Sequence, residues 1–173
     1  MREEKNNIVL VGMPGSGKTT VGEILADSLK FDFVDLDLLI EKNEGIKISE
    51  IFKKFGEKYF RKLEKDVLVS FQNASNVVLS TGGGIVKDAA NFDVIKKIGI
   101  SFYLEIMPDV IYKRIKDDDT RPLLQVKDPF DALNKLYNER YNSYKMADYI
   151  IDANKSVNDI KSEIIKIYEN SKS

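Results

Sequence analysis

The 173-residue chain has no cysteine and no histidine. Without them it cannot build a disulfide framework, the usual thiolate and imidazole zinc sites, or a histidine-based catalytic triad. General acid–base work falls to carboxylates or lysines. An excess of charge of one sign is also missing: 27 basic and 28 acidic residues leave a net charge of −1. There is thus no global attraction for nucleic acid or an anionic membrane surface, and any anion site must be local. No apolar run approaches the ~18 residues of a membrane span. The polar start MREEKNN does not read as a secretory leader, so the cytoplasm is the expected location. No internal repeat, linker or low-complexity tract divides the chain, and at 43% hydrophobic content the whole of 1–173 is expected to form one domain with a full core.

What is present is organised around Ile8 to Thr20, IVLVGMPGSGKTT. Gly12, four residues, then Gly17, Lys18 and Thr19 fit G-x-x-x-x-G-K-[ST], the phosphate-binding P-loop. The glycines let the backbone turn its N–H groups inward as a nest for phosphate oxygens, at the positive end of the following helix. Lys18 supplies a mobile charge for the β- and γ-phosphates, and the Thr19 hydroxyl a ligand for Mg²⁺. The context is the one this chemistry needs: an apolar strand before the loop, Ile8 to Val11, and an apolar-periodic helix after it through Val21, Ile24, Leu25 and Leu29.

Downstream, KFDFVDLD (Lys30 to Asp37) predicts a second strand. Asp35 and Asp37 would share a face if that strand persists, whereas Asp37 would cap a helix if it does not. A polar run, Glu41 to Gly45, precedes two helical patterns, Ile48 to Phe55 and Tyr59 to Phe71, with Gly56 as the break between them. Val77 to Leu79 reads as a third strand running into Ser80, Thr81, Gly82, Gly83 and Gly84. A helix over Asp88 to Ile98, a strand over Ile100 to Leu104 and a helix from Pro108 follow. Then come the charged stretch KDDDTR (Lys116 to Arg121), a long helix from about Pro129 to Met146, a strand over Tyr149 to Asp152 and a terminal helix from Ser156. Five strands alternating with helices imply an α/β three-layer sandwich with a parallel sheet, whose ligands bind beyond the strand carboxyl ends.

Several residues carry two readings. Arg61, four after Glu57 and three before Glu64, is either a surface ion-pair cluster or half of a carboxylate clamp with Arg140, since two guanidinium forks can hold one carboxylate. The glycine triplet is a flexible turn or a place where a ligand nears the backbone. The aspartates at 117–119 read as a solvated charge run.

These motifs resemble, in order, those of the shikimate kinase family of P-loop proteins: GMPGSGKTT, the D-x-D of Asp35 and Asp37, GEKYFRKLE from Gly56, STGGG from Ser80, TRPLL from Thr120, and Arg140 with Tyr144 and Ala147-Asp148. The resemblance covers about Ile8 to Ile167. It implies ATP-dependent phosphorylation of the shikimate 3-hydroxyl, within aromatic amino acid biosynthesis, by a monomer using Mg²⁺. Gly12, Pro14, Gly15, Ser16, Gly17, Lys18, Thr19 and Thr20 would bind the nucleotide phosphates. Arg114 and the loop at Asn154 would meet the base, and Arg121 would close over it on a mobile lid spanning about 116–127. The substrate would lie against helices over about 37–64, with Arg61 and Arg140 on its carboxylate, Glu64 orienting Arg61, and Gly82, Gly83 and Gly84 lining its pocket. Asp37 would hold its hydroxyls and accept the reacting proton, while Asp35 and Ser80 would reach the metal through water. Lys18, Asp37 and Arg121 form the implied catalytic set.

The family usually carries Pro-Leu-Tyr where this chain has Asn142-Ser143-Tyr144, so the helix around Arg140 is expected to run straighter. A gluconate or nucleoside monophosphate kinase would keep the P-loop and lid but gives no reason for GEKYFR with STGGG. A GTPase-like switch expects D-x-x-G and N-K-x-D, and neither occurs.

Overall fold

The computed structural model describes residues 6–118, 121 and 124–173. Asp119, Thr120, Pro122 and Leu123, all within the expected lid, lie outside the described residues.

β1 (Ile8–Val11) is the apolar run before the P-loop, and all four of its side chains are buried. It lies mid-sheet between β3 (Val77–Ser80) and β4 (Ile100–Glu105), with β2 (Asp32–Asp35) and β5 (Tyr149–Asp152) at the edges, in the order β2-β3-β1-β4-β5. Every pairing is parallel. A strand covered on both faces needs continuous apolar sequence, as in IVLV and VVLS, and each buried aliphatic side chain contributes about 1.5–3 kcal/mol. The parallel register places the carboxyl ends of β1, β2 and β3 side by side, with Asp35 opposite Ser80 and Leu10 opposite Ser80.

Asn7 ties the entry of β1 to its neighbours. Its Nδ2 donates to the carbonyls of Ala74 and Ile98, and its Oδ1 accepts from the Val77 N–H. Asp148 does the same for β5, accepting from the Ser101 N–H and hydroxyl while its own N–H donates to that hydroxyl.

Among the described residues seven α-helices cover the sheet: α1 (Lys18–Leu29), α2 (Leu36–Glu44), α3 (Ile48–Ser70), α4 (Ala90–Ile98), α5 (Pro108–Ile115), α6 (Pro129–Tyr144) and α7 (Val157–Asn170). α3 is two helices joined at Gly56, whose φ of 82° and ψ of 171° supply the expected break. α2 and α3, on both sides of its Gly56 break, hold a small core of their own, Ile40, Ile51 and Phe60, apart from the main one.

Two local expectations change. Strand β2 stops at Asp35, so Asp35 and Asp37 do not share a strand face. Asp35 is the N-cap, accepting from the Leu38 N–H at 3.2 Å, and Asp37 sits in the first turn of α2. The capping role considered for Asp37 belongs to Asp35. The polar run from Glu41 also turns out to be helical through Glu44, because α2 buries Leu36 and Ile40 on its inner side and leaves the charged residues outside. Among the described residues no helix is long and apolar enough to cross a membrane.

Candidate active site

A cleft of about 500 Å³ opens at the carboxyl ends of the central strands. The P-loop forms its floor. Gly17 stands at the start of α1 with φ 95°, a left-handed conformation that only glycine adopts cheaply, and this aims the first N–H groups of α1 at the cleft. Lys18 is 8% exposed and bridges the loop, its Nζ donating to the Gly12 carbonyl at 2.8 Å and the Met13 carbonyl at 2.9 Å. Burial lowers its pKa to about 8, against the pull of the Asp37 and Asp35 carboxylates and with help from the Arg140 and Arg121 charges. A lysine so perturbed is poised to gain from a polyanion.

Beside it the Thr19 hydroxyl donates to Asp35 Oδ2 at 3.0 Å, and Ser80 and Thr81 close the same wall. Thr19 and Asp35 are hard oxygen donors facing the cleft, which suits Mg²⁺, an ion that takes few protein ligands and keeps waters and phosphate oxygens around it. Among the described residues no cluster of three or more acidic, His or Cys side chains forms a metal cage.

The far end of the cleft is apolar and cationic. Ile115, Ala153, Val157 and Ile160 line it with Arg114, whose Nη2 donates to the Ala153 carbonyl at 3.3 Å, and with Lys155. Asn154 is not among the lining residues: its N–H and Nδ2 both donate to Asp152 Oδ1. From this loop, Ala153 and Lys155 are the residues that line the cleft. Arg121 lines the cleft as well, 41% exposed at its side chain and paired with Asp118 at 3.0 Å. The apolar wall escapes sequence reading because Val157 and Ile160 have the spacing of core positions.

Asp37 lines the cleft, and behind it stands a second charged group. Arg61 Nη1 holds Glu64 Oε1 at 2.8 Å, and its other edge meets Glu57 Oε1 at 3.3 Å, an oxygen shared with Lys87 at 2.6 Å. Glu64 is 1% exposed, and burial pushes its carboxyl up while Arg61 pulls it down. Asp37 is raised too, first by burial and then by the Asp35 charge, with Lys18 and Arg61 opposing. Asp37 Oδ1, Glu64 Oε2 and Arg140 Nε are all buried with no hydrogen-bond partner among the described residues, a combination that a polar ligand would relieve.

The glycine triplet is what makes this room. A Cβ at Gly82 would come within 2.6 Å of Asp37 Oδ1 and 3.0 Å of Glu64 Oε2; at Gly83 it would meet Pro14 at 2.7 Å, and at Gly84 the Arg61 guanidinium. Of the sequence-predicted residues, Pro14 to Thr20, Asp35, Asp37, Ser80, Gly83, Arg114 and Arg121 line the cleft. Gly82 and Gly84 stand against the Asp37–Arg61–Glu64 group beside it, Gly12 takes the Lys18 bond, and Arg140 bears on Lys18 and Glu64 through its charge. Helix α6 runs unbroken through Tyr141, Asn142 and Ser143, as its sequence predicts.

Comparison with known proteins agrees with this geometry. The family profile described as shikimate kinase matches residues 14–169. A shikimate kinase of Caldanaerobacter subterraneus subsp. tengcongensis is 43% identical over 163 residues, 94% of this chain and 95% of that protein. One from Thermodesulfovibrio yellowstonii is 43% identical over 164 residues, with 94% and 95% covered. Among solved structures, shikimate kinase from Acinetobacter baumannii in complex with shikimate superposes with a TM-score of 0.89 at 38% identity, covering 96% of this chain and 94% of that one. A gluconokinase from Sinorhizobium meliloti 1021 shares the fold alone, with a TM-score of 0.60 at 16% identity over 98% and 97% of the two chains. With a P-loop cleft, a carboxylate and arginine group behind it, and relatives matched over nearly their whole length, the chain belongs to the shikimate kinase family.

Proposed function

We propose that this protein transfers the γ-phosphoryl group of Mg²⁺-ATP to the 3-hydroxyl of shikimate, giving 3-phosphoshikimate and ADP. The observation that carries the reading is the joining of a P-loop cleft to Asp37, Arg61 and Glu64 around a glycine triplet that leaves space for a polar acceptor. Arg61 and Arg140 take the acceptor carboxylate, a planar anion that suits guanidinium forks. Asp37 accepts the hydroxyl proton as the new O–P bond forms and the bond to ADP breaks; its raised pKa makes it the better base. Lys18 and the loop N–H groups hold the β- and γ-phosphates; Thr19, with Asp35 and Ser80 nearby, would hold a magnesium ion, which would supply neutralisation of phosphate charge. Arg121 folds over the transferring group on a lid that excludes water.

The test is ADP release with ATP against shikimate, quinate, gluconate and nucleoside monophosphates. Turnover is expected with shikimate well above the others. Preference for gluconate or a nucleotide would overturn the acceptor assignment while leaving the P-loop chemistry intact.

A further inference from the structure

Tyr144, the last residue of α6, has no part in the reaction as drawn above. It is fully buried, its ring stacked on Tyr103 of β4 at 5.1 Å and 20°. Its hydroxyl donates a short hydrogen bond to the Gly83 carbonyl, within the glycine triplet. Burial pushes the phenol up to about 12, and the positive charge of Arg140 opposes that rise. The phenol therefore keeps its proton, and its donor role, throughout the neutral range. Arg140 and Tyr144 meet because they stand four apart on a helix that continues through Asn142 and Ser143.

Gly83 and Gly84 have no side chains to fix the peptide between them, and glycine backbone rotates more freely than any other. A peptide is planar, and the described chain holds no cis bond, so drawing the Gly83 carbonyl to the phenol turns the Gly84 N–H to the opposite side. Arg140 Nε is buried with no hydrogen-bond partner among the described residues, so it is free to take a ligand.

We propose that Tyr144 is a positioning residue for the acceptor: its one hydroxyl locks the Gly83–Gly84 peptide and steadies the Arg140 guanidinium, so that both meet the substrate carboxylate in a fixed register. This rests on the reading that Arg140 holds that carboxylate. Tyr144 touches no reacting atom; it acts through Gly83 and Arg140.

Tyr144→Phe removes the hydroxyl and keeps the ring stacked on Tyr103. KM for shikimate should rise about tenfold, the size of one lost hydrogen bond near a charge, while kcat falls much less, KM for ATP holds and the melting temperature stays near wild type. The preference for shikimate over its methyl ester should shrink, because the ester lacks the anion being aligned. On an Arg140→Ala background the same change should cost less, since one of its two targets is gone. An unchanged KM for shikimate in Tyr144→Phe overturns the proposal. So does a parallel rise in both KM values with a fall in melting temperature, which marks a purely structural tyrosine. Should the wild type fail to turn over shikimate, the acceptor assignment falls and this proposal with it; if the wild type is active and only the Tyr144→Phe result fails, the positioning role alone is lost.

Discussion

Lys18 should make nucleotide affinity depend on pH in a direction opposite to the free protein's stability. Burial holds its pKa near 8, below the usual lysine value of 10.5. Because the folded state binds this proton less tightly than the unfolded chain, the unfolded state carries more protons between those two values, and stability rises with pH across that window. The total is about 3 kcal/mol for a group lowered from 10.5 to about 8. Phosphate oxygens at the P-loop reverse the balance by restoring a counter-charge to the ammonium. In the free protein about one Lys18 in ten is charged at pH 9, so ATP should bind about tenfold more weakly at pH 9 than at pH 7, with a proton taken up on binding at the higher pH. Calorimetry of ATP binding at the two values, in buffers of different ionisation enthalpy, reads both quantities, and urea unfolding from pH 7 to 10 reads the stability. Lys18→Met is the control: it should be folded, lose the pH dependence of both, and retain under a tenth of phosphoryl transfer. Affinity that is flat from pH 7 to 9 with no proton uptake would refute the idea that this lysine is held discharged by burial and recharged by phosphate.

Arg140→Ala should weaken shikimate binding by about 2–5 kcal/mol, the usual cost of breaking a charge-assisted pair, with ATP affinity nearly constant; equal losses for both ligands place this arginine elsewhere. Arg61→Ala should do the same and also lower the melting temperature, because it strands the buried Glu64 carboxylate, an effect that Arg61→Ala with Glu64→Gln should partly restore. Gly82→Ala puts a methyl within 2.6 Å of Asp37 Oδ1 and should cut turnover with shikimate while sparing ATP binding; normal kinetics would mean that Asp37 is not confined there. Arg121→Ala should reduce kcat more than it raises KM for shikimate, with Lys at this position rescuing only in part, and amide exchange over 116–127 should slow when shikimate and a non-hydrolysable ATP analogue bind together. Equal protection with and without those ligands argues against a lid.

The strands were legible because a parallel sheet demands runs such as Ile8 to Val11 and Val77 to Leu79, which no surface element would carry. The helix starts at Pro108, Pro129 and Ser156 were legible because fixed φ and capping chemistry are local properties. What failed to read off was decided at a distance. Nothing local says whether Asp35 ends a strand or Asp37 begins a helix; the answer depends on Leu36 and Ile40 finding a core to enter, after which Asp35 becomes the cap and Asp37 is turned toward Lys18. The acceptor site has the same logic. Arg61, Glu64 and the glycines can be named from their spacing, but the room between them exists only because Gly82, Gly83 and Gly84 bring backbone against Asp37, Pro14 and Arg61, three separate parts of the chain. The unpartnered oxygens of Asp37 and Glu64 and the buried Arg140 Nε follow from that convergence. Each would cost stability in a protein selected for stability alone. Their concentration beside the P-loop is the strongest physical sign that the fold keeps a polar space for an acceptor that both donates and accepts hydrogen bonds and carries a negative charge.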